Sequence, residues 1–256
     1  MQIIIAPAKK MVTDDANFLP IQTPLYLNYT EQIFQALQNL TYDEAQKLWQ
    51  TSDKLTQENY QNLQNMDLQH PLTPAILSYS GIQYQYMAPN VLSQAALNYL
   101  QKTLWILSGF YGALRPFDGI VPYRLEMGAH LKVAGTKNLY EFWGDRLYQA
   151  VRNQGPIINL ASKEYAKTIT PYLQDDDQFI DIIFAHLIDG KLKTKATLAK
   201  IARGEMVRFI VENRLTTVAQ LKQFQSETYT FDADRSESQR LVFIGKIGRA
   251  SCRERV

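Results

Sequence analysis

The chain has 256 residues with 27 basic and 25 acidic side chains, and 46% of its residues are hydrophobic, 20% charged and 11% aromatic. This composition excludes a disordered or fibrous protein and allows a sizeable core. No apolar run is long enough to cross a bilayer, and the N-terminus lacks the features of a signal peptide. We therefore expect a cytoplasmic protein with no membrane partner.

The last ten residues, 247–256, alter the charge balance. They hold the only cysteine, Cys252, with three arginines and one glutamate, and show no apolar periodicity. This pattern is typical of translated vector sequence, so we predict one domain over residues 1–246 and a non-native tail over 247–256. Removing the three arginines and one glutamate leaves 24 basic and 24 acidic residues. The body then has no cysteine for a disulfide or a catalytic thiol.

The first half of the chain alternates apolar runs with amphipathic segments. Residues 2–5 predict a buried strand that is ended by Pro7. Helical spacing predicts three helices, after a cap at Thr30, a capping box from Thr41 to Glu44, and a cap at Ser52. Residues 75–79 predict another strand, and 90–102 a helix that leads into an apolar strand at 104–107.

The second half continues the alternation. The patterns predict a helix at 138–151, a strand at 156–160, a helix capped by Ser162, a hairpin at Asp189-Gly190, a long helix at 197–215, a shorter helix and a last strand at 241–244. Strands interleaved with helices predict a mixed α/β fold. We expect a single compact domain, with a mostly parallel sheet, an antiparallel hairpin and helices packed around it.

Three of the predicted strands, ending at Ile5, Leu107 and Leu160, are followed at once by loops rich in small or basic residues. In open α/β sheets the ligand crevice lies outside the carboxyl ends of the strands. We therefore expect these loops to share one site. That site would gather Lys9, Ser108, Gly109, Arg115 and Lys163.

The loop after the strand at 104–107 is dense in glycine, and two interpretations are open. Gly109 and Gly112 permit positive φ and can leave amides free to face an anion, as phosphate-binding loops do. The sequence is neither a Walker loop nor the GxGxxG fingerprint, and an ordinary tight turn fits it as well. A helix-hairpin-helix turn at Gly109–Gly112 is a further alternative, although Pro116 leaves little room for the second helix.

The same loop carries four charged residues, Arg115, Asp118, Arg124 and Glu126. The two arginines are suited to clamping a phosphate or carboxylate with their planar guanidinium groups. The two carboxylates would orient them, or would act as acid and base if the protein is an enzyme. An internal ion-pair network that rigidifies the loop explains the same residues.

Residues 191–214 carry seven basic side chains against two acidic ones. A local excess of that size is expected of a DNA phosphate-contact surface, and a solvated helix fits it too. The basic residues are Lys191, Lys193, Lys195, Lys200, Arg203, Arg208 and Arg214.

The three histidines, His70, His130 and His186, are isolated in the sequence and form no metal-ligand pair. We therefore predict no metal site and no cofactor. Carboxylates alone could still bind a hard ion such as iron weakly.

Six phrases together resemble the YaaA family of bacterial peroxide-stress proteins. They occur in the family's order and cover the chain from residue 1 to about 245. The phrases are IIIAPAK at 3–9, SDKL at 52–55, LSGFYGALRPFDGIVPYRLEMG at 107–128, NLYEFWGD at 138–145, NLASKEY at 159–165 and ARGEMVRFIVENRL at 202–215.

The resemblance implies a cytoplasmic protein of the defence against hydrogen peroxide, associated with limiting free iron and the damage it causes. It also implies an α/β fold with a positively charged cleft, and DNA binding through a helix-hairpin-helix-like element. The family's polar signature falls on Lys9, Ser52, Asp53, Lys54, Arg115, Asp118, Tyr123, Arg124, Glu126, Asn159, Ser162, Arg203, Arg208, Glu212, Asn213 and Arg214. Where many members read close to KGDVY, this chain has Ser80-Gly81-Ile82-Gln83-Tyr84.

Two hypotheses follow. The first is a non-sequence-specific DNA-binding protein, favoured as a monomer, that acts in peroxide stress. The second is an enzyme that acts on a nucleobase, nucleotide or other phosphorylated ligand, with Asp118 and Glu126 as acid and base. In either case the expected ligand contacts are Lys9, Lys54, Ser108, Gly109, Gly112, Arg115, Tyr123, Arg124, Ser162, Lys163, Lys200, Arg203, Arg208 and Arg214.

Overall fold

The computed structural model describes residues 1–14, 19–70, 72–152 and 155–245. The predicted tail at 247–256 and Cys252 lie outside these residues. The strands of the described part are β1 (Gln2–Ile5), β2 (Thr73–Pro74), β3 (Leu104–Ser108), β4 (Gly112–Leu114), β5 (Gly119–Ile120), β6 (Ile157–Leu160), β7 (Phe179–Ile188), β8 (Lys191–Lys193), β9 (Tyr229–Glu237) and β10 (Arg240–Gly245).

Helices pack around these strands. They are α1 (Leu27–Gln38), α2 (Tyr42–Trp49), α3 (Asp53–Gln64), α4 (Ala75–Ser78), α5 (Ile82–Met87), α6 (Gln94–Thr103), α7 (Leu139–Trp143), α8 (Arg146–Val151), α9 (Lys163–Ala166), α10 (Ala196–Glu212) and α11 (Val218–Leu221). Short 3₁₀ turns occupy Pro89–Val91 and Thr170–Tyr172.

One eight-stranded sheet organises the molecule, in the order β4-β3-β1-β6-β7-β10-β9, and β8 pairs with β7. The pairs β1·β3, β1·β6, β6·β7 and β7·β10 are parallel, whereas β3·β4, β7·β8 and β9·β10 are antiparallel. All four residues of β1 are buried, as expected of a strand covered on both faces. The predicted mixed, mostly parallel α/β fold in a single compact domain is confirmed.

Several local predictions are confirmed together with their physical reasons. The hairpin between β7 and β8 turns at Asp189 and Gly190, whose φ angles of 52° and 72° are the positive values that a type I′ turn requires. The capping box before α2 forms, since the backbone amide of Glu44 donates to Thr41 and the Glu44 carboxylate accepts from the Thr41 amide.

Other local predictions are wrong. Residues 75–79, expected to be a strand, contain the buried helix α4, because a short apolar run does not by itself distinguish a strand from a buried helix. Helix α1 begins at Leu27, so Thr30 lies inside it and its hydroxyl donates to the Tyr26 carbonyl. The helix predicted at 138–151 is divided into α7 and α8 at Gly144, where φ is +52°.

Candidate functional site

A cavity of about 430 Å³ lies at the carboxyl ends of β1 and β6. We call it the strand-end cavity. Its walls come from residues 6–10 after β1, residues 123–126, the segment after β6, the start of α5, and α10. The expectation that loops after these neighbouring parallel strands share one crevice is confirmed for β1 and β6.

Two glycines bring the walls of the strand-end cavity together. A Cβ on Gly81 would lie 2.9 Å from the Cβ of Ala8, so α5 starts directly against the loop after β1. A Cβ on Gly204 would overlap the carbonyl oxygen of Gln83, so α10 packs closely on α5. This second contact places Arg203, together with Lys200 one turn earlier, on the cavity wall.

The centre of the site is an ion pair between Lys9 and Glu126. The Lys9 Nζ atom lies 2.7 Å from Oε1 of Glu126, and Nη2 of Arg124 lies 3.6 Å from the same oxygen. The Lys9 side chain is 65% exposed and that of Arg124 only 14%. An exposed pair of this kind contributes about 0–1 kcal/mol to stability. Its main consequence is therefore to fix the position of the three charges.

Three buried nitrogen donors on residues of this site have no acceptor among the described residues. They are Nε2 of Gln83, Nε of Arg124 and Nε of Arg203, and all three side chains line the strand-end cavity. Leaving a buried donor unpaired costs about 1–3 kcal/mol. Burial also lowers the pKa of Arg203, although a guanidinium stays protonated in proteins. The arrangement is suited to an anion that brings acceptor oxygens.

Tyr123 lines the cavity and is held by two hydrogen bonds and a stacked ring. Its hydroxyl forms hydrogen bonds of 2.7 Å with the Ser108 hydroxyl and 2.8 Å with the Tyr79 hydroxyl, and its ring stacks on Phe110 at 4.8 Å. Burial raises the pKa of Tyr123 to about 12, so this side chain is a neutral phenol at physiological pH. Ser108 reaches the site only through Tyr123.

The glycine-rich loop supports the site from behind. Gly109 and Gly112 connect the antiparallel strands β3 and β4, so the helix-hairpin-helix alternative is wrong for this segment. The amides of Phe110 and Tyr111 donate to the Ser108 hydroxyl at 3.1 and 2.9 Å, which occupies the donors that an anion would need. The backbone at Gly109 instead approaches that of Glu126 closely. The hairpin thereby positions the segment that carries Arg124 and Glu126.

Arg115 and Asp118 do not line the strand-end cavity. The Arg115 guanidinium lies over the Trp105 ring at 4.2 Å and donates to the Gln101 carbonyl at 3.0 Å. Asp118 is 2% exposed and accepts the Arg115 amide at 2.8 Å. Burial raises the pKa of Asp118 to about 7. The structure therefore places Arg115, which the sequence analysis gathered with Lys9, and Asp118 outside the lining that contains Lys9.

The other predicted contacts are divided between the cavity and the surface. Ser162 lines the cavity, whereas its neighbour Lys163 is exposed and lies outside the lining. Lys54 is exposed on α3, and Arg208 pairs with Glu212 at 2.9 Å. Arg214 follows α10 with a φ of 49°. Of the predicted basic contacts, Lys9, Arg124, Lys200 and Arg203 are those that the structure brings together.

Several lining residues were missed by the sequence analysis. They include Lys10, Gln83, Tyr84, Glu164 and Tyr165. In the sequence, Gln83 is distinguished only by its place in the segment where this chain departs from the family pattern. Its main-chain carbonyl packs against Gly204, which is 121 positions further along the chain, and no local pattern signals such a contact.

Among the described residues, no group of three or more His, Cys, Asp or Glu side chains is placed to hold a metal ion. No helix in the same residues is long and apolar enough to cross a membrane.

The fold and the site define a mixed α/β protein with a cationic cavity over the carboxyl ends of parallel strands. The chain belongs to the family described as peroxide stress protein YaaA, whose model matches residues 1–235. It is 61% identical over 245 residues to a UPF0246 protein of Lactiplantibacillus plantarum. The matched region covers 95% of this chain and 99% of that relative. UPF0246 proteins of Lacticaseibacillus paracasei and Agathobacter rectalis are 59% and 45% identical over 248 residues, covering 96% of this chain and all of each relative.

Proposed function

We propose that this peroxide-stress family member binds DNA without sequence specificity in the cytoplasm, with a phosphate group held in the strand-end cavity. Protection of DNA from iron-driven damage would follow from this binding. The observation that carries the proposal is the set of buried, unpaired donors on Gln83, Arg124 and Arg203. The link to iron comes from the family resemblance.

The charge of the cavity supports an anionic ligand. Five cationic side chains line it, Lys9, Lys10, Arg124, Lys200 and Arg203, against the two carboxylates Glu126 and Glu164. Glu126 is neutralised by Lys9, and a Glu164 oxygen accepts the Gly128 amide at 2.8 Å. Contacts of this kind to phosphate oxygens carry no sequence information, so we expect binding to any DNA sequence.

One observation favours a second function, an enzyme that acts on a nucleotide or another phosphorylated ligand. A concave volume of about 430 Å³ is within the range of small-molecule sites and is too small for a duplex. Glu126 borders it and is the carboxylate best placed to act as acid or base there. Asp118 is buried and accepts the Arg115 backbone amide three residues earlier, so such a ligand does not reach its carboxylate.

The first test is DNA binding over a series of salt concentrations. Arg203→Gln should weaken binding of duplex and bubble DNA about tenfold at low salt. The slope of the logarithm of the binding constant against the logarithm of the salt concentration should become shallower by about one. Arg208→Gln is the matched control, because Arg208 lies on the same helix but pairs with Glu212 outside the cavity. Equal affinity of the two variants would contradict the proposed site.

The second function has its own test. Nucleotides and sugar phosphates that bind the native protein should raise its melting temperature, and the increase should be lost in Arg203→Gln. Stabilisation by such a ligand without DNA binding would favour the enzyme over the DNA-binding protein.

A further inference from the structure

A second cavity, of about 300 Å³, adjoins the site just described. It lies between helices α2 and α3 and the loop after β1. Lys9, Lys10, Tyr123 and Arg124 line both cavities, so these four residues form a shared wall. Its cationic lining residues are Lys9, Lys10 and Arg124, and its one carboxylate among the described residues is Glu58. This second cavity therefore also has an excess of positive charge.

Trp49, which lines this second cavity, carries an unpaired buried donor. The chain has three tryptophans. The indole nitrogens of Trp105 and Trp143 donate to Gln2 Oε1 at 2.8 Å and to the Gly109 carbonyl at 2.9 Å. Trp49 is 6% exposed, yet its Nε1 atom has no acceptor in the described part of the chain. Buried tryptophans usually find such a partner, so this nitrogen marks a place for an acceptor from outside the protein.

The position of the Trp49 indole is fixed by the fold. Trp49 is the last residue of α2, which is anchored at its start by the capping box and ends at Gln50 in a left-handed conformation. Ala45, one turn earlier, shares the buried face. The indole ring is therefore held in the wall of the cavity, which Arg124 also lines.

The remaining lining has the character of a nucleotide site. Leu55, which is 36% exposed, and the half-buried Met66 provide apolar surface in the same lining as Trp49 and Arg124. A phosphate oxygen satisfies the donors, and a sugar or base covers the apolar side chains. An inorganic ion would leave that apolar surface uncovered.

We propose that the second cavity binds a second nucleotide unit of the same ligand, with a phosphate oxygen between Trp49 Nε1 and Arg124. This inference rests on the proposed function, because the first phosphate occupies the strand-end cavity. The natural ligand then has at least two linked nucleotides, so a single-stranded segment of nucleic acid fits better than a mononucleotide.

The test uses the three indole N–H resonances of ¹⁵N-labelled protein, with that of Trp49 identified by its loss in Trp49→Phe. The probes are dTMP and the 5′-phosphorylated dinucleotide pdTpdT. We expect pdTpdT to move the Trp49 resonance and dTMP to leave it near its free position. The resonances of Trp105 and Trp143 serve as internal controls.

Affinities give a second readout. Trp49→Phe should weaken pdTpdT binding about tenfold, and Glu58→Gln, which removes a carboxylate that lines only the second cavity, should strengthen it several-fold. Neither variant should change dTMP binding. Glu58→Gln keeps the test decisive if Trp49→Phe does not fold. Lys54→Ala, an exposed lysine outside both cavities, is the control.

The outcomes separate the two proposals. If pdTpdT binds in an Arg203-dependent way while the Trp49 resonance stays still, the second subsite is wrong and the proposed function stands. The same conclusion follows if dTMP moves that resonance as far as pdTpdT does. If neither these probes nor longer DNA binds, the proposed function fails and the second subsite fails with it.

Discussion

The Nζ atom of Lys9 lies 2.7 Å from Oε1 of Glu126, and this contact joins the loop after β1 to the segment that follows β5. The two residues are 117 positions apart in the sequence. Their ion pair stands in the wall of the strand-end cavity, and Arg124 approaches the same carboxylate at 3.6 Å. Glu126 thus restrains two of the cations that an anionic ligand would use.

Replacing Glu126 should therefore strengthen anion binding. Glu126→Gln leaves Lys9 and Arg124 without their shared carboxylate, so we expect DNA affinity to rise several-fold at low salt. Stability should change by less than about 1 kcal/mol, because the pair is exposed. Fluorescence anisotropy with labelled DNA and urea unfolding measure the two effects. Glu212→Gln, which breaks the pair with Arg208, is the control, and an unchanged affinity in Glu126→Gln would count against a ligand anion beside Lys9.

Arg115 should behave as a structural residue. Arg115→Ala removes the contact with the Trp105 ring and the hydrogen bond to Gln101, so we expect a loss of about 1–3 kcal/mol in unfolding free energy. DNA affinity of the folded variant should equal that of the wild type. Denaturant unfolding and a binding titration check both parts. A tenfold loss of affinity with unchanged stability would show that Arg115 contacts the ligand.

Gly204 offers a test in which the sign of the effect is informative. Replacing a helical glycine by alanine ordinarily stabilises a helix by up to about 1 kcal/mol. Here the added Cβ would overlap the Gln83 carbonyl, so Gly204→Ala should destabilise by about 1–3 kcal/mol and weaken ligand binding by displacing Arg203. Gly135→Ala is the comparison. No atom lies within 4 Å of a Cβ built on Gly135, so only the positive φ of +82° would strain an alanine there. A more stable Gly204→Ala would show that α10 and α5 separate easily.

Asp118 should make stability depend on pH. Burial raises its pKa from 3.8 to about 7 in the folded protein, so the folded state holds the proton more tightly than the unfolded chain does. The resulting stabilisation is complete below about pH 4 and is lost as the pH rises through 7, with a total of up to about 4 kcal/mol. Asp118→Asn keeps an acceptor for the Arg115 amide and should remove this dependence. Urea unfolding at pH 4, 6 and 8 measures it, and parallel profiles for the two proteins would contradict the raised pKa.

The sequence by itself determined most of the sheet. The apolar runs of β1, β3 and β6 and the Asp189-Gly190 turn are local signals, and a strand or hairpin satisfies them with short-range geometry. The rule that ligand sites lie outside the carboxyl ends of parallel strands predicted a site around Lys9, and the structure has a cavity in that region. The family phrases pointed to the same loops.

Only the tertiary structure decided which charges of those loops meet. Arg115 and Arg124 belong to one charged loop and have the same chemistry, yet one lies over Trp105 and the other lines the cavity. The difference arises from long-range contacts, such as the approach of Gly109 to the Glu126 backbone. Gln83 joins the site for a similar reason, because Gly204 lets α10 close over α5. The direction of a side chain beyond a strand end depends on what packs against it, and those packing partners lie far away in the sequence.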